Sequence, residues 1–174
     1  MKRSLLSWAS LPLVAAVIVA ADQWTKGWIE KSLPLGGSLA PVPALEPYFN
    51  LVHTNNTGAA FGLLQGYAGM FIIIALVVVA IVLFYARQLP ASAWPVRIVL
   101  GIQLGGAVGN LIDRLQHQGA VTDFLLLTLP IGDRIYQWPA FNVADSSIVV
   151  GTILLGILML RAEDKKPEVQ QAEA

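Results

Sequence analysis

The chain contains an apolar helix with a regular glycine spacing, Gly101-Ile-Gln-Leu-Gly-Gly-Ala-Val-Gly-Asn-Leu-Ile-Asp-Arg114. Gly101, Gly105 and Gly109 recur every four residues, so they lie on one face of the helix. A ridge of glycines allows a second helix to approach closely. The same face continues to Asp113, and we therefore expect Asp113 to face protein rather than lipid. Asn110 and Arg114 lie on the neighbouring face, which places an amide and a guanidinium beside this carboxylate.

Three aspartates stand at the ends of hydrophobic segments. Asp113 closes the glycine helix, Asp123 lies in Val121-Thr-Asp-Phe124, and Asp145 lies in Phe141-Asn-Val-Ala-Asp145, which opens another apolar helix. A carboxylate near hydrocarbon loses its hydration unless it is paired, hydrogen-bonded or beside a water-filled cavity. Each aspartate alone is consistent with a helix cap at the water interface, but the three together indicate a functional site.

The composition is that of an integral membrane protein with one domain. Of the 174 residues, 56% are hydrophobic and 13% charged, and the mean hydropathy is +0.65, which is too apolar for a soluble fold of this length. The formal net charge is zero, so nothing indicates a nucleic-acid partner. Cysteine is absent, which excludes disulfides, thiolate catalysis and thiolate metal sites.

Four apolar segments are predicted to span the membrane, at about 4–21, 67–86, 97–113 and 142–160, within one membrane-embedded domain of residues 1–161. The third and fourth have only fifteen uncharged residues each, about 22 Å of helix against ~30 Å of hydrocarbon. For the third segment, either Arg97 therefore snorkels to the interface or Asp113 lies within the membrane boundary. By the same argument, Asp145 is expected close to the hydrocarbon boundary at the start of the fourth segment. An alternative for the first segment is a cleaved signal peptide, because Lys2 and Arg3 precede it and small residues end it.

The remaining segments are predicted to lie outside the membrane, at about 22–66 and 114–141. Asp22 and Lys26 are spaced i and i+4 in the favourable acid-first order, typical of a helix end. A Pro- and Gly-rich stretch follows, then a possible strand at 49–53 and a tight turn around Asn56 and Gly58. Asp133, between Gly132 and Arg134, is typical of a solvated turn. Residues 162–174 form a charged tail, predicted to be disordered and cytoplasmic.

The basic residues predict the orientation of the chain. With a cytoplasmic N-terminus, seven Lys and Arg residues fall on the inner side and four on the outer side, so both termini are expected in the cytoplasm. On this topology the three aspartates, Asp22 and the Asn56 turn meet at the outer face.

Two carboxylates in a low-dielectric site tend to share one proton, so that one activates a water molecule while the other donates to a substrate carbonyl. This is aspartic-protease chemistry. Asp123 and Asp145 are the better pair, because one comes from a connector and the other from a helix start. Asp113, with Arg114 and Asn110 nearby, is better suited to remaining ionised in a structural role.

The sequence resembles the lipoprotein signal peptidases, or signal peptidase II, which are bacterial membrane aspartyl peptidases. The resemblance rests on five blocks in the order of that family: Asp22-Gln-Trp-Thr-Lys26, Asn56-Thr-Gly-Ala-Ala-Phe61, Gly109-Asn-Leu-Ile-Asp-Arg114, Val121-Thr-Asp-Phe124 and Phe141-Asn-Val-Ala-Asp145. The blocks extend from the first helix to the last. Only the charged tail falls outside the resemblance.

The resemblance implies an all-α polytopic membrane protein with four transmembrane helices and a small extracytoplasmic β-rich cradle after the first. It implies that Asp123 and Asp145 are the catalytic dyad, and that substrate-binding or site-shaping positions are Asn56, Gly58, Asn110, Asp113, Arg114, Asn142, Asp22 and Lys26. The expected reaction removes signal peptides from diacylglyceryl-modified prolipoproteins, by hydrolysis on the N-terminal side of the lipid-modified cysteine, at the extracytoplasmic face of the bacterial inner membrane.

No metal or organic cofactor is expected, and the two histidines, His53 and His117, are too few to suggest a metal site. The expected partners are the prolipoprotein substrates and membrane lipids, with the enzyme working as a monomer. Two alternatives remain from the residues themselves. One is a small transporter in which the aspartates relay protons or bind a cation. The other is an assembly subunit packed through the glycine ridge, which leaves the aspartates unexplained.

Overall fold

The computed structural model describes residues 2–58, 64 and 66–163. Its long helices are α1 (Lys2–Ser32), α2 (Ala68–Gln88), α3 (Trp94–Gln116) and α4 (Val143–Glu163). Among these residues, four segments are long and apolar enough to cross a membrane: Trp8–Ser32, Ala68–Gln88, Ala91–Gln116 and Val143–Arg161. The prediction of four spanning helices is confirmed at this level. The predicted tail lies outside the described residues, except for residues 162 and 163, which continue α4.

The first helix is longer than the sequence predicted. The hydropathy pattern ended it at residue 21, whereas α1 continues to Ser32 and includes Asp22 and Lys26 in its interior. These two side chains form an ion pair with each other, so their charges do not end the helix. The helix ends at Ser32 because Leu33 precedes Pro34, and a residue before proline is disfavoured in the helical region. At 31 residues, α1 is about 46 Å long and exceeds the ~30 Å hydrocarbon thickness.

Helix α3 is the central element, because α1, α2 and α4 all pack against it. The predicted glycine ridge faces α1: a Cβ on Gly101 would lie 2.8 Å from the carbonyl oxygen of Leu11, and one on Gly105 would lie 2.6 Å from Cβ of Ile18. A Cβ on Gly106 would collide with the carbonyl oxygen of Ala144 on α4. The glycines therefore bring two helix backbones into contact with α3, on two different faces.

Both ends of α3 extend beyond the predicted span of 97–113. At the first end, Arg97 is buried within the protein rather than snorkelling, and its guanidinium donates hydrogen bonds to the carbonyls of Ala86 (3.0 Å) and Leu89. The same guanidinium lies 3.9 Å from the centroid of the Trp8 ring. At the other end Asp113 is also buried. Internal partners therefore allow both charged residues to lie inside a longer helix.

A four-stranded antiparallel sheet caps the end of the bundle where α1 and α3 end. Its strands, in spatial order, are β1 (Ser38–Leu39), β2 (Phe49–Asn56), β3 (Val121–Ile131) and β4 (Arg134–Gln137). The predicted strand at 49–53 is part of β2. The prediction of four helices with a small β-rich segment is confirmed, but that segment was expected after the first helix alone, whereas half of the sheet comes from the connector after α3. The sequence did not predict β3, because a short apolar run does not distinguish a strand from other buried structure.

A tight turn joins α3 to β3. Gly119 adopts a φ of +96°, and a Cβ at this position would collide with Cβ of Ala68. The amide of Gly119 donates to the carbonyl of Arg114 (2.8 Å) and the amide of His117 to that of Asp113 (2.7 Å), which closes the end of the helix. The turn brings Val121 opposite Asn56 on β2, so β3 begins directly beside the end of α3.

The Gly106 contact predicts a measurable loss of stability on the smallest possible substitution. Gly106→Ala should destabilise the protein by about 1–3 kcal/mol, because the new methyl group must displace the α4 backbone at Ala144. Thermal unfolding in detergent measures this. The matched control is Gly156→Ala on α4, where a Cβ has nothing within 4 Å. Equal unfolding temperatures for the two variants would contradict the close α3–α4 packing.

Candidate active site

Asp123 and Asp145 are brought together by Asn142. Asp123 lies on β3 and is 2% exposed, while Asp145 lies in the first turn of α4. The side-chain amide of Asn142 donates to Oδ1 of Asp123 (2.7 Å), and its backbone amide donates to Oδ2 of Asp145 (3.3 Å). One residue therefore contacts both carboxyl groups.

Asn142 occupies the cap position of α4. Its Oδ1 accepts a hydrogen bond from the backbone amide of Asp145 (2.9 Å), while the Asp145 carboxylate accepts from the backbone amide of Asn142. This reciprocal pair is a capping box with Asn and Asp in place of Ser and Glu. The Asn-x-x-Asp spacing thus begins the helix and fixes the Asp145 side chain by the same two hydrogen bonds.

Two further asparagines occupy the remaining carboxyl oxygens. Asn56 on β2 donates to Oδ2 of Asp123 (3.0 Å), and Asn110 on α3 donates to Oδ1 of Asp145 (2.7 Å). The backbone amide of Gly58 donates to Oδ1 of Asn56 (2.9 Å) and so orients its side chain. All four carboxyl oxygens of the pair accept a hydrogen bond from a neutral amide. The arrangement holds both groups without neutralising their charge.

Burial, and after it the nearby Asp145 carboxylate, raises the pKa of the Asp123 carboxyl, and the resulting pKa is about 7. The hydrogen bonds from Asn56 and Asn142 and the positive charge of Lys26 act against this shift. The net result is a carboxyl group that holds a proton near neutral pH, as a general acid requires.

A second buried cluster lies directly behind this pair and is centred on Lys26. Its ammonium is 2.8 Å from Oδ2 of Asp22 and 3.0 Å from Oδ2 of Asp113. The three side chains are 0–2% exposed. Asp22 also accepts from the backbone amide of Ala144 (2.9 Å) and so joins α1 to the start of α4. Two carboxylates and one ammonium thus stabilise one another in a region without water access.

Asn110 connects the two clusters. Its Oδ1 accepts from Nζ of Lys26 (3.0 Å) and from Nδ2 of Asn142 (3.2 Å), while its Nδ2 donates to Asp145. The positive charge of Lys26 polarises this amide toward the Asp145 carboxylate. Lys26 therefore influences the pair without contacting it.

A cavity of about 540 Å³ opens beside the pair. Asp123, Asp145 and Arg114 contribute polar groups to its wall, and apolar side chains such as Phe141 and Val149 supply much of the rest. Such a mixture, mostly apolar with a few converging polar groups, is typical of a site that binds an organic ligand. The pair therefore lies where a substrate can reach it.

Comparisons with known proteins assign the family. Residues 14–161 match the family model described as signal peptidase (SPase) II. The chain belongs to the signal peptidase II family. It is 40% identical to a lipoprotein signal peptidase of Geobacillus thermodenitrificans over 84% of this chain and 87% of that one, and 37% identical to one of Bacillus subtilis over 91% and 97%.

A solved structure shares the fold. A bacterial membrane enzyme determined by the in meso method at 2.3 Å resolution is 31% identical, with a TM-score of 0.78 over 90% of each chain. A second such structure, at 1.9 Å resolution, has a TM-score of 0.72 over 85% of this chain and 90% of that one. As a member of the signal peptidase II family with four apolar helices, the protein is a peptidase and an integral protein of the bacterial inner membrane.

The structure brings nearly all of the sequence-predicted positions into one region, but it separates Arg114 from Asp113. The expected guanidinium beside Asp113 is replaced by Lys26, and Arg114 points into the cavity, with its Cζ 5.2 Å from the centroid of the Phe71 ring. Adjacent helical residues diverge by about 100° around the axis, so their side chains lie on different surfaces. The catalytic and binding roles of the predicted positions remain predictions.

The sequence analysis missed Gln23, Thr122 and Glu30. Nε2 of Gln23 donates to Oδ1 of Asp113 (2.7 Å), and the backbone amide of Thr122 donates to Oδ2 of the same carboxylate (3.0 Å). The Thr122 hydroxyl donates to Glu30 (2.7 Å), near the end of α1. Gln23 and Thr122 lie within the motif blocks, beside the residues that were chosen. Glu30 became visible only because α1 continues beyond the predicted span.

Lys26→Met should destabilise the protein by about 3–5 kcal/mol, because two buried carboxylates lose the ammonium between them. Thermal unfolding in detergent measures this. Lys31→Met, at an exposed position near the end of the same helix, is the matched control and should unfold close to the wild type. If Lys26→Met were no less stable than Lys31→Met, the buried ion cluster would not hold the bundle together.

Proposed function

We propose that this protein removes the signal peptide from diacylglyceryl-modified prolipoproteins by aspartyl-dyad hydrolysis. The bond cleaved is the peptide bond on the N-terminal side of the lipid-modified cysteine. Membership of the signal peptidase II family and the name of its relatives, lipoprotein signal peptidase, support the substrate class. The observation that carries the mechanism is the paired Asp123 and Asp145, held by three asparagines at the wall of a cavity.

The chemistry follows from two carboxyl groups that share one proton. The ionised group takes a proton from a water molecule, whose oxygen forms a bond with the scissile carbonyl carbon. The protonated group donates to the carbonyl oxygen, which gives a neutral gem-diol. When the gem-diol collapses, one of its hydroxyl groups returns a proton to the carboxylate that donated first, and the C–N bond breaks. The nitrogen takes the water-derived proton from the other carboxyl group and becomes the amino group of the lipid-modified cysteine. Each aspartate ends in the protonation state from which the next turnover begins.

We assign the initial proton to Asp123 and the role of base to Asp145. Burial raises the pKa of Asp123 to about 7, whereas Asp145 receives a hydrogen bond from an amide that Lys26 polarises. Because the two groups interact, the proton belongs to the pair and its position is a preference. Asn142, which contacts both groups, holds the two carboxyl groups in fixed positions while the proton moves between them.

The orientation in the membrane is part of the proposal. The excess of basic residues at one end supports cytoplasmic termini, which puts the dyad and the sheet on the extracytoplasmic side. Asp22, Asp113, Asp123 and Asp145 gather at one end of the bundle, rather than along a path through it, and this favours a peptidase over a transporter. We expect the enzyme to act as a monomer on lipid-modified substrates within the bilayer.

Asp123→Asn and Asp145→Asn should each reduce cleavage by about 10³-fold or more, because proton transfer contributes ~10²–10⁴ and the two groups act as a unit. The assay is the mass of a purified diacylglyceryl-modified prolipoprotein after incubation with the enzyme. Asp133→Asn, in the exposed turn between β3 and β4, is the matched control and should cleave like the wild type.

Each variant is first shown to unfold cooperatively, so that a loss of cleavage reports on chemistry. Full activity of both variants would mean that the catalytic pair lies elsewhere, with Asp113 the next candidate. A wild-type enzyme that leaves the lipid-modified substrate intact, under conditions where a relative cleaves it, would overturn the proposed function.

A further inference from the structure

A second cavity, of about 450 Å³, lies between α2 and α4. Both helices pack on α3, and the side chains of α3 form the floor of the groove between them. The α2 wall is a single helical stripe, with Phe71, Ala75, Val78 and Val82 at spacings of three to four residues. The groove is mostly apolar, with polar side chains toward its two ends, and it lies within segments long and apolar enough to span the membrane, so its open side faces lipid.

The groove has the length of one lipid leaflet. From Phe71 to Val82 on α2, and from Gln103 to Arg114 on α3, each wall covers twelve residues, whose eleven steps span about 16 Å at the helical rise of ~1.5 Å. The hydrocarbon core of a bilayer is ~30 Å thick, so half of it is about 15 Å. A transmembrane helix of another protein would need a groove twice as long, whereas an acyl chain runs through one leaflet only.

The groove is continuous with the active-site cavity. Asn110, Arg114 and Ile148 line both spaces. Arg114 stands at the junction, where Nε is buried and has no hydrogen-bond partner within the described part of the chain. A buried guanidinium nitrogen without a partner costs free energy unless a ligand oxygen satisfies it. The junction therefore presents an unsatisfied donor between the dyad and an apolar groove.

A polar pair lines the far end of the groove. Nε2 of Gln103 donates to the Thr152 hydroxyl (3.1 Å), which in turn donates to the backbone carbonyl of Ile148 (2.8 Å). The Gln103 side chain packs against Gly151, where a Cβ would lie 2.5 Å from Cγ of Gln103. Gln103 is close to the midpoint of the Ala91–Gln116 segment, so the pair lies near the centre of the bilayer, where a single acyl chain ends.

We infer that the α2–α4 groove binds one acyl chain of the lipid-modified substrate, with Arg114 contacting oxygens of the glyceryl ester and the Gln103–Thr152 pair limiting the chain length. This inference rests on the proposed function and adds a binding site to it. The groove aligns the lipid with the dyad: with the chain in the groove and the ester at Arg114, the adjoining peptide enters the cavity that contains Asp123 and Asp145. Part of the substrate affinity then comes from van der Waals packing of the chain against the groove walls, because a chain that leaves lipid exchanges one apolar environment for another.

The test compares a variant that fills the groove with one that adds the same side chain elsewhere on α2. Ala75→Trp places an indole in the groove, whereas Val77→Trp places it on the exposed surface of α2, outside the groove. The substrates are one prolipoprotein peptide carrying two hexadecanoyl chains and the same peptide carrying two octanoyl chains, both in nanodiscs at a fixed ratio to lipid. KM and kcat are measured for each enzyme.

The wild type and Val77→Trp should both prefer the long-chain substrate, with a KM about tenfold lower than for the short-chain one. Ala75→Trp should lose most of this preference through a higher KM for the long chains, while kcat at saturation stays within about twofold. An equal preference for the long-chain substrate in all three enzymes would contradict acyl-chain binding in the α2–α4 groove and leave the proposed function intact. Failure of the wild type to cleave either substrate would overturn both.

A second measurement does not depend on the folding of the tryptophan variants. A long-chain substrate with a diazirine at the end of one acyl chain is bound to Asp123→Asn, so that it remains uncleaved, and is then irradiated. Cross-links should map by mass spectrometry to the groove near Val82, Gln103 or Thr152. Cross-links confined to the exposed face of α1, at residues such as Leu13 and Val17, would place the chain elsewhere and overturn the inference.

Discussion

The ion cluster around Lys26 is the interaction on which the rest of this structure depends. A single ammonium forms ion pairs with carboxylates from α1 and α3. Those carboxylates also accept hydrogen bonds from backbone amides of α4 and β3. Four elements therefore meet at one buried charge. Such a cluster is costly to desolvate and gives little net stability relative to an apolar core, but it fixes geometry, since each partner left alone is strongly unfavourable. Gly109 allows this contact, because a Cβ there would lie 2.6 Å from Oδ2 of Asp22.

The separation of this cluster from the proposed dyad explains how four aspartates in one region take two roles. Asp22 and Asp113 contact the Lys26 ammonium directly and join the helices that carry them. Asp123 and Asp145 instead accept hydrogen bonds from neutral amides of Asn56, Asn110 and Asn142, and this leaves room for one shared proton. Asn110 transmits part of the Lys26 charge to one member of the pair. The two carboxyl groups therefore differ in environment, as an acid and a base require.

The helical spans and the packing of α3 could be predicted from sequence, because hydropathy and a four-residue glycine spacing are local signals. The end of α1 could not be predicted from sequence, because charged residues such as Asp22 and Lys26 indicate a membrane boundary unless their partners are known. Those partners, Asp113 and Asn110, lie 80 to 90 residues away in the chain. The apolar run that became β3 was ambiguous for a similar reason: its pairing with β2 is long-range. The proximity of Asp123 and Asp145 could be predicted because both lie in the motif blocks, while their catalytic role remains a prediction. The Lys26–Asp113 pair was not, because the adjacent Arg114 offered a simpler but incorrect partner.

We propose that the Asp123–Asp145 pair holds one proton near neutral pH, on a carboxyl group that burial has made a weak acid. Infrared difference spectroscopy of the carboxyl C=O stretch measures this directly during a pH titration of the purified enzyme. Because the pKa of Asp123 is raised to about 7, the wild type should show a protonated carboxyl band at pH 5 that disappears as the pH rises through about 7, and Asp123→Asn should lack it. Absence of any band in the wild type above pH 5, or an unchanged band in Asp123→Asn, would contradict the account.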